Sequence, residues 1–274
     1  MHNNPFKIMI KENTYQTYLI NLDRATERLK LMELEFEKNN VTYERIVAVD
    51  AKKLNNDTYL IDNKYDRNFV PGEIGCYLSH VKALQTFLSS NYQFAVILED
   101  DAKLDPQYKY SIEKAITTYQ DLAKKDQWDI LKIYNGKRRH INIKQLDNRF
   151  CIGACGTSIP IMGIGAIWTR KGAEKFLSKI IKNNKPVIRR PIDCELQHPW
   201  EYDLLIYNLL PSIVEISGVE TQIQLNTDLR KANILLQIKY ELNRFIPKHL
   251  YLIKQHGFKK YYDSFIAKKN EKIA

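Results

Sequence analysis

Residues Phe94-Ala-Val-Ile-Leu-Glu-Asp-Asp101 carry five apolar side chains, without alternation, into three consecutive carboxylates. An apolar run of this length flanked by polar residues predicts a strand buried on both faces, as in a parallel α/β sheet. Ligands of such sheets bind beyond the carboxyl ends of the strands, which is where Glu99, Asp100 and Asp101 fall. Adjacent carboxylates repel one another unless a positive charge sits among them. A divalent cation is the simplest such charge, and oxygen-only ligands suit Mg²⁺ or Mn²⁺ better than zinc. Exposed loops also carry runs of acids, so the flanking sequence has to decide.

Upstream, Pro71-Gly-Glu73 opens a helix whose Ile74, Leu78, Val81, Leu84 and Leu88 keep helical spacing and face a core. Glu73, Ser79 and His80 are its polar residues, and a lone His on such a helix is more often structural than catalytic. Residues 55–69 read as a polar surface loop. Earlier still, Tyr15–Leu22 reads as a first strand, Asp23 as the cap of a following helix, and Leu29, Met32 and Phe36 as its core stripe. Tyr43–Val49, ending at Asp50, reads as a second strand. This strand-helix-strand unit opens nucleotide-binding folds, but without Gly-x-Gly-x-x-Gly it argues against a dinucleotide. Arg24 and Arg28 stand at i and i+4 near the helix head, placed either to meet an anion or to lie on the surface.

Downstream, a helix is expected from Pro106 to about Lys125 and a strand over Trp128–Tyr134. Gly136–Asn148, with Lys137, Arg138, Arg139 and His140, reads as a loop. The small-residue stretch Ile161–Trp168 precedes a helix at Lys171–Ile181, and its Gly163 and Gly165 fit close ligand approach, a bulge or tight packing alike. Asp193 follows the rigid turn at Pro191. The segments 203–210 and 212–216, split by Pro211, remain open between helix and strand.

The 274 residues, 44% of them hydrophobic, fit one large α/β domain or a domain with an appendage. The N-terminus lacks an apolar stretch, so no secretory signal is expected, and no segment resembles a membrane span. Cys76, Cys151, Cys155 and Cys194 form no Cys-x-x-Cys pair and are expected as reduced thiols of a cytoplasmic protein. The net charge is +10, but residues 228–274 hold eleven Lys or Arg against four Asp or Glu. The body is therefore nearly neutral. A nucleic-acid module built on the basic tail has no recognition motif behind it. A metal-dependent phosphoesterase or nucleotide-sugar hydrolase using the same acids is the other rival class.

Six segments recur in family order over roughly residues 15 to 215. They are Tyr18-Leu-Ile-Asn-Leu-Asp-Arg24 with Glu27-Arg28, Arg45-Ile-Val-Ala-Val-Asp50, Gly72-Glu-Ile-Gly-Cys-Tyr-Leu-Ser-His80, Val96-Ile-Leu-Glu-Asp-Asp101, Gly172-Ala-Glu-Lys175 and Pro191-Ile-Asp193. Together they resemble glycosyltransferase family 25, the lipooligosaccharide-modifying transferases of Gram-negative bacteria. The pairing of Gly72–His80 with Leu-Glu-Asp-Asp is the specific part.

The resemblance implies a GT-A-like, Rossmann-like mixed sheet flanked by helices over residues 1–226; residues 227–274 match no segment of the family and are expected, from their charge and spacing, as a basic helical tail. The resemblance also implies a UDP-sugar donor, UDP-galactose before UDP-glucose, transfer with inversion, and Mn²⁺ or Mg²⁺. Asp101, with Glu99, would hold the metal, while Glu99 and Asp100 support ribose and metal waters. Asn21, Arg24 and Arg28 would contact the nucleotide, and Ser79 and His80 would line the donor pocket or brace the triplet. Inversion needs one general base, assigned to Asp193 by its matching segment, with Glu195, Glu201 and Asp203 as competitors. A late metal ligand, often a His in GT-A enzymes, stays unassigned among His198, His249 and His256. In the tail, Ile234, Leu235, Ile238, Leu242, Phe245 and Ile246 keep helical spacing among basic residues. Such a helix suits either an anionic membrane, where a lipooligosaccharide acceptor grows at the inner face of the inner membrane, or a hairpin covering the domain.

Overall fold

The computed structural model of the protein describes residues 13–135, 140–157, 159, 163–218, 234–266 and 272–273. Along the chain run β1 (Tyr15–Asn21), α1 (Thr26–Lys38), β2 (Tyr43–Val47), β3 (Leu60–Ile61), α2 (Pro71–Ser89), β4 (Phe94–Glu99), β5 (Ala102–Leu104) and α3 (Tyr108–Tyr119). Then come β6 (Ile130–Lys132), β7 (His140–Gln145), β8 (Cys151–Cys155), β9 (Gly165–Thr169), α4 (Arg170–Ile180), β10 (Ile181–Lys182) and β11 (Lys185–Ile188). The chain closes with α5 (Ile192–Glu195), α6 (Pro199–Tyr202), β12 (Ile206–Leu210), β13 (Val214–Ile216), α7 (Ile234–His256), α8 (Phe258–Ile266) and β14 (Lys272–Ile273).

Nine strands form one mixed sheet in the order β14-β7-β8-β12-β6-β9-β4-β1-β2. Within it β2, β1 and β4 are parallel, whereas β9 runs antiparallel between β4 and β6. The opening stretch is the hinge of this layout. Phe94, Val96 and Leu98 enter one core with Met32 and Phe36 of α1 and Ile112 and Ile116 of α3. Ala95 and Ile97 enter the other, with Leu84 and Phe87 of α2 and Phe176 of α4. A strand covered by helices on both faces has no polar side to show, which is why its sequence does not alternate. The expected mixed α/β sheet flanked by helices is therefore what the chain adopts.

Several boundaries differ from expectation. Asp23 does not cap α1. Ala25 holds the cap position without a side-chain bond, and Asp23 instead pairs with Arg45 at 2.9 Å. The second strand stops at Val47 because the Val49 N–H is taken by the Ser79 hydroxyl, at 2.8 Å. Part of the predicted loop 136–148 is strand β7, whose His140 and Ile141 are buried against β8. Its exposed half is polar, which hides the strand from a hydrophobicity pattern; Lys137, Arg138 and Arg139 lie outside the described residues. The undecided segments around Pro211 both become strands.

The described stretch 234–266 of the tail is helical, as expected, and it rests on the domain. Leu252 is buried, and the Tyr251 hydroxyl donates to the Leu204 carbonyl at 3.0 Å. β14 then pairs with the edge strand β7. The division at 226/227 lies outside the described residues. Among the described residues no helix is long and apolar enough to cross a membrane.

Candidate active site

Parallel pairing fixes the centre of the site. Ile20 of β1 stands level with Glu99 of β4, so Asn21 arrives opposite Asp100. The Asn21 amide donates to Asp100 Oδ2 at 2.7 Å and to the Ala25 carbonyl at 3.1 Å, while its own oxygen accepts from Arg45 Nε at 3.0 Å. Strand order reverses here, since the chain adds β2 on one side of β1 and later β4 on the other, all three parallel. This is the topological switch point at which open α/β sheets bind ligands.

Arg28 reaches from α1 into the acid triplet. Its guanidinium lies 3.0 Å from Asp100 Oδ1 and 3.1 Å from Asp101 Oδ2, with the arginine nearly buried. The positive charge that three carboxylates require is thus supplied first by the protein itself. Burial still raises both aspartates above the ordinary carboxylate range; Arg28 and Asn21 pull Asp100 back, and the Glu99 charge adds to the rise at Asp101. Glu99 goes the other way. Burial would raise it, but the hydrogen bond and charge of His80, with the Sγ–H of Cys76, outweigh that and hold it low. His80 Nε2 lies 3.1 Å from Glu99 Oε1.

The remaining predicted residues line or brace the same cleft, a cavity of about 300 Å³ between the ends of β1, β2 and β4 and the start of α2. Arg24 sits at its rim in an ion pair with Asp50. Ser79 accepts from the Val49 N–H and donates to the Gly75 carbonyl at 2.6 Å, so it ties α2 to the end of the second strand segment. The two glycines separate. A side chain at Gly165 would collide with Ile133 and Leu98, which is packing within the sheet. A side chain at Gly163 would come 3.2 Å from Glu99 Oε1 and 3.8 Å from His80 Nε2, so that backbone covers the acid–histidine pair.

Asp193, on the short helix α5, comes within electrostatic reach of Glu99. Burial first, then the Glu99 charge, raises its carboxyl, and Lys132 opposes the rise. The competing acids are engaged elsewhere. Glu195 is fully buried against Arg190 and Tyr202, Glu201 pairs with Arg190 at 2.7 Å, and Asp203 meets Lys175. Lys132 escaped the sequence reading. It is buried in β6, and burial pushes its ammonium down to about 8 against the charges of Cys155, Asp193 and Cys194. The signal was a lysine in the middle of the apolar run Asp-Ile-Leu-Lys-Ile.

Two overlapping donor sets face a cation here. Cys76, His80 and Glu99 bring three ligand atoms within 4.8 Å of one another. Burial, followed by the charges of Glu99 and Asp193, keeps the Cys76 thiol well above its ordinary range, so it is protonated rather than a thiolate ligand. Glu99 and Asp101 offer hard carboxylate oxygens, and Asp101 Oδ1 is buried without a hydrogen-bond partner. That orphaned oxygen fits Mg²⁺ or Mn²⁺. His198 and His249 are engaged away from the triplet, with the Cys194 carbonyl and Tyr261 respectively.

Comparison with known proteins now names the family. The family model for glycosyltransferase family 25 (LPS biosynthesis protein) matches residues 14–194. The chain belongs to that family. It is 27% identical over 177 residues to a glycosyltransferase 25 family member of Aedes aegypti, covering 59% of this chain and 28% of that one. A Haemophilus influenzae protein provisionally assigned as a glycosyltransferase is 27% identical over 272 residues, 87% of this chain and 88% of that one. Procollagen galactosyltransferase 1 of Danio rerio is 22% identical over 218 residues, 73% of this chain and 36% of that one. The chain spans under a third of the length of the insect relatives it matches. The matched segment contains the whole lining of the cleft, from Ile20 to Asp101, and also Asp193.

Removing one partner from a buried ion pair leaves the other uncompensated, typically at a cost of about 3–5 kcal/mol. Arg28→Met is expected to lose stability on that scale in urea unfolding at pH 7. A loss below about 1 kcal/mol, the range of exposed pairs, would show that Arg28 is not what balances the triplet.

Proposed function

We propose that this family 25 glycosyltransferase moves a hexose, galactose first and glucose next, from a UDP-sugar to a sugar hydroxyl of a lipooligosaccharide or LPS core, inverting the anomeric carbon. The observation that carries the reading is the meeting of Asn21, Arg28 and the acid triplet at the β1/β4 switch point, with Asp193 close to Glu99. The relatives named procollagen galactosyltransferase support a galactosyl donor.

In this reading Asn21, Arg24 and Arg28 hold the nucleotide, Asp100 the ribose, and Ser79 and His80 fix the wall and Glu99. Asp193 takes the proton of the acceptor hydroxyl as that oxygen bonds to the anomeric carbon. The bond from that carbon to the phosphate oxygen breaks, and its electron pair leaves with UDP. Mn²⁺ or Mg²⁺, held by Asp101 and Glu99, supplies when bound a Lewis-acid charge for the leaving diphosphate. Residues 1–226 form the catalytic body, and residues 227–274 a basic tail that touches an anionic membrane from the cytoplasmic side. For the tail, support comes from the described part of α7, where Leu235, Leu242, Phe245, Ile246 and Leu250 are all more than half exposed with Lys239 and Lys248 among them.

UDP release from a panel of UDP-sugars with Mn²⁺, with and without lactose- or glucose-terminated acceptors, tests the reaction. One sugar should give acceptor-stimulated release, and both Asp101→Ala and Asp193→Asn should reduce it by a hundredfold or more, the scale of general-base removal. Release indifferent to every acceptor would favour a hydrolase, and full activity in Asp101→Ala would remove that residue from the metal site.

The pH profile tests the base. Asp193 works as carboxylate, and its pKa is raised, so rate should fall on the acid side at higher pH than an exposed Asp near about 4 would give. Lys132 lowers that pKa, so Lys132→Met should move the acid limb further up. A limb that stays in place would exclude Asp193 as the titrating base or Lys132 as its neighbour.

Sedimentation with vesicles tests the tail. Full-length protein should pellet with anionic vesicles at low salt and be released as salt rises, and Phe245→Glu with Leu242→Glu should abolish pelleting. Failure of the unaltered protein to pellet would end the membrane assignment.

A further inference from the structure

A second cavity, about 420 Å³, opens between the 63–65 loop, α6 and the first half of α7. Its volume falls in the roughly 300–1,000 Å³ range of small-molecule sites. Three aromatic residues line it, Tyr65, Trp200 and Tyr240, with His198 among them. Tyr65 meets Tyr240 edge-on at 5.4 Å between centroids, and His198 stands 5.1 Å from Trp200 and 5.7 Å from Tyr240. Polar groups interrupt these rings. Asn63, Asn243 and Arg244 reach the cavity, and Arg244 is oriented by Gln197 at 2.8 Å and by Glu241.

The polar groups are of both kinds. His198 Nδ1 lies 2.9 Å from the Cys194 carbonyl and must donate to it, which leaves Nε2 as an acceptor. Burial, then the Arg190 charge, pushes this imidazole down to about 4, so it is neutral near pH 7. On the donor side, Arg190 Nε, the Tyr240 hydroxyl and Arg244 Nε belong to lining residues and have no hydrogen-bond partner among the described residues. Arg190 is itself 5% exposed. Unpaired buried donors are costly in a finished structure and point to a ligand or water that completes them. Four lining cations, Lys64, Arg190, Lys239 and Arg244, stand against four nearby acids: Arg190 pairs with Glu195 and Glu201, Arg244 with Glu241, and Lys64 lies 4.0 Å from Asp62. A free anion therefore has little net attraction here. Flat aromatic faces beside mixed donors and acceptors match instead a molecule with apolar C–H faces and a ring of hydroxyls.

Two lining residues, Tyr65 and His198, contact the residue that follows the proposed base. The thiol of Cys194, the residue after Asp193, lies 3.5 Å from the Tyr65 hydroxyl, and its carbonyl holds His198. We infer that this cavity is a saccharide-binding subsite, which holds a sugar unit of the acceptor beyond the one that reacts. The inference rests on the transferase reading for the word acceptor, but its test does not depend on turnover.

The probe is an array of immobilised oligosaccharides, neutral, phosphorylated and carboxylated, read with labelled full-length protein. Unaltered protein should bind a subset. Trp200→Ala should lose at least tenfold in apparent affinity. Asn243→Trp, which fills the cavity from an exposed position on α7 without opening the core, should lose as much. No binding to any saccharide, or binding that Asn243→Trp leaves intact, would overturn the subsite. A protein that binds glycans through this cavity yet releases no UDP would keep the subsite and sink the transferase reading.

Discussion

Like charges at the end of one strand are the constraint that the rest of the site answers. Glu99, Asp100 and Asp101 are adjacent in sequence, so no rearrangement of the chain can separate them by more than a few ångströms. Arg28 is held between two of them by α1, and His80 meets the third from α2. The two helices lie on opposite faces of the sheet, so the acids can be balanced only once β4 is inserted between both layers. Folding of the sheet and charge balance of the site are one event. Asn21, level with Asp100 across the parallel ladder, makes the register part of the same condition, because a slip of one residue would turn it to the other face.

This dependence explains what could be read in advance. An apolar run ending in acids carries both its burial and its position at a strand end, so β4 and the location of the cleft were legible from Phe94–Asp101 alone. The helical stripes of α1 and α2 were legible for the same reason, as Met32, Phe36, Leu78, Val81 and Leu84 are buried where the spacing puts them, although the last turn of α2 buries Phe87 and only part of the expected Leu88. Edge elements were not. β7 exposes Lys144 and Gln145 at one end, and its pairing with β8 is a matter of backbone hydrogen bonds that side-chain patterns do not report.

The site shows the same division between what is local and what is not. That the triplet needs a cation follows from its spacing, but the identity of the first cation does not. Arg28 is seventy-one positions before Glu99, and only the parallel contact of β1 with β4 brings α1 to it. Lys132 was visible as a charge in an apolar strand, yet its meaning depends on α5 delivering Asp193 nearby. Likewise, only the packing around Arg190 tells Asp193 apart from Glu195 and Glu201, which lie within eight residues of it.

The family match ends at residue 194, one position after Asp193. Everything that would handle the nucleotide and the proton lies inside it. Most of the aromatic cavity lies outside it, since His198, Trp200, Tyr240, Asn243 and Arg244 follow that boundary while Asn63, Lys64, Tyr65 and Arg190 precede it. Donor chemistry poses the same physical problem to every enzyme that breaks a sugar–phosphate bond, whereas acceptors differ in shape and hydroxyl pattern. A wall borrowed from a separate tail helix lets the second be altered without disturbing the charge balance that holds the first. The same helix carries its apolar face outward at Leu242, Phe245 and Ile246. One element thus has its inner face on the cavity and its outer face exposed, so a substitution in α7 reaches the cavity proposed for a saccharide and leaves β4 and its acids untouched.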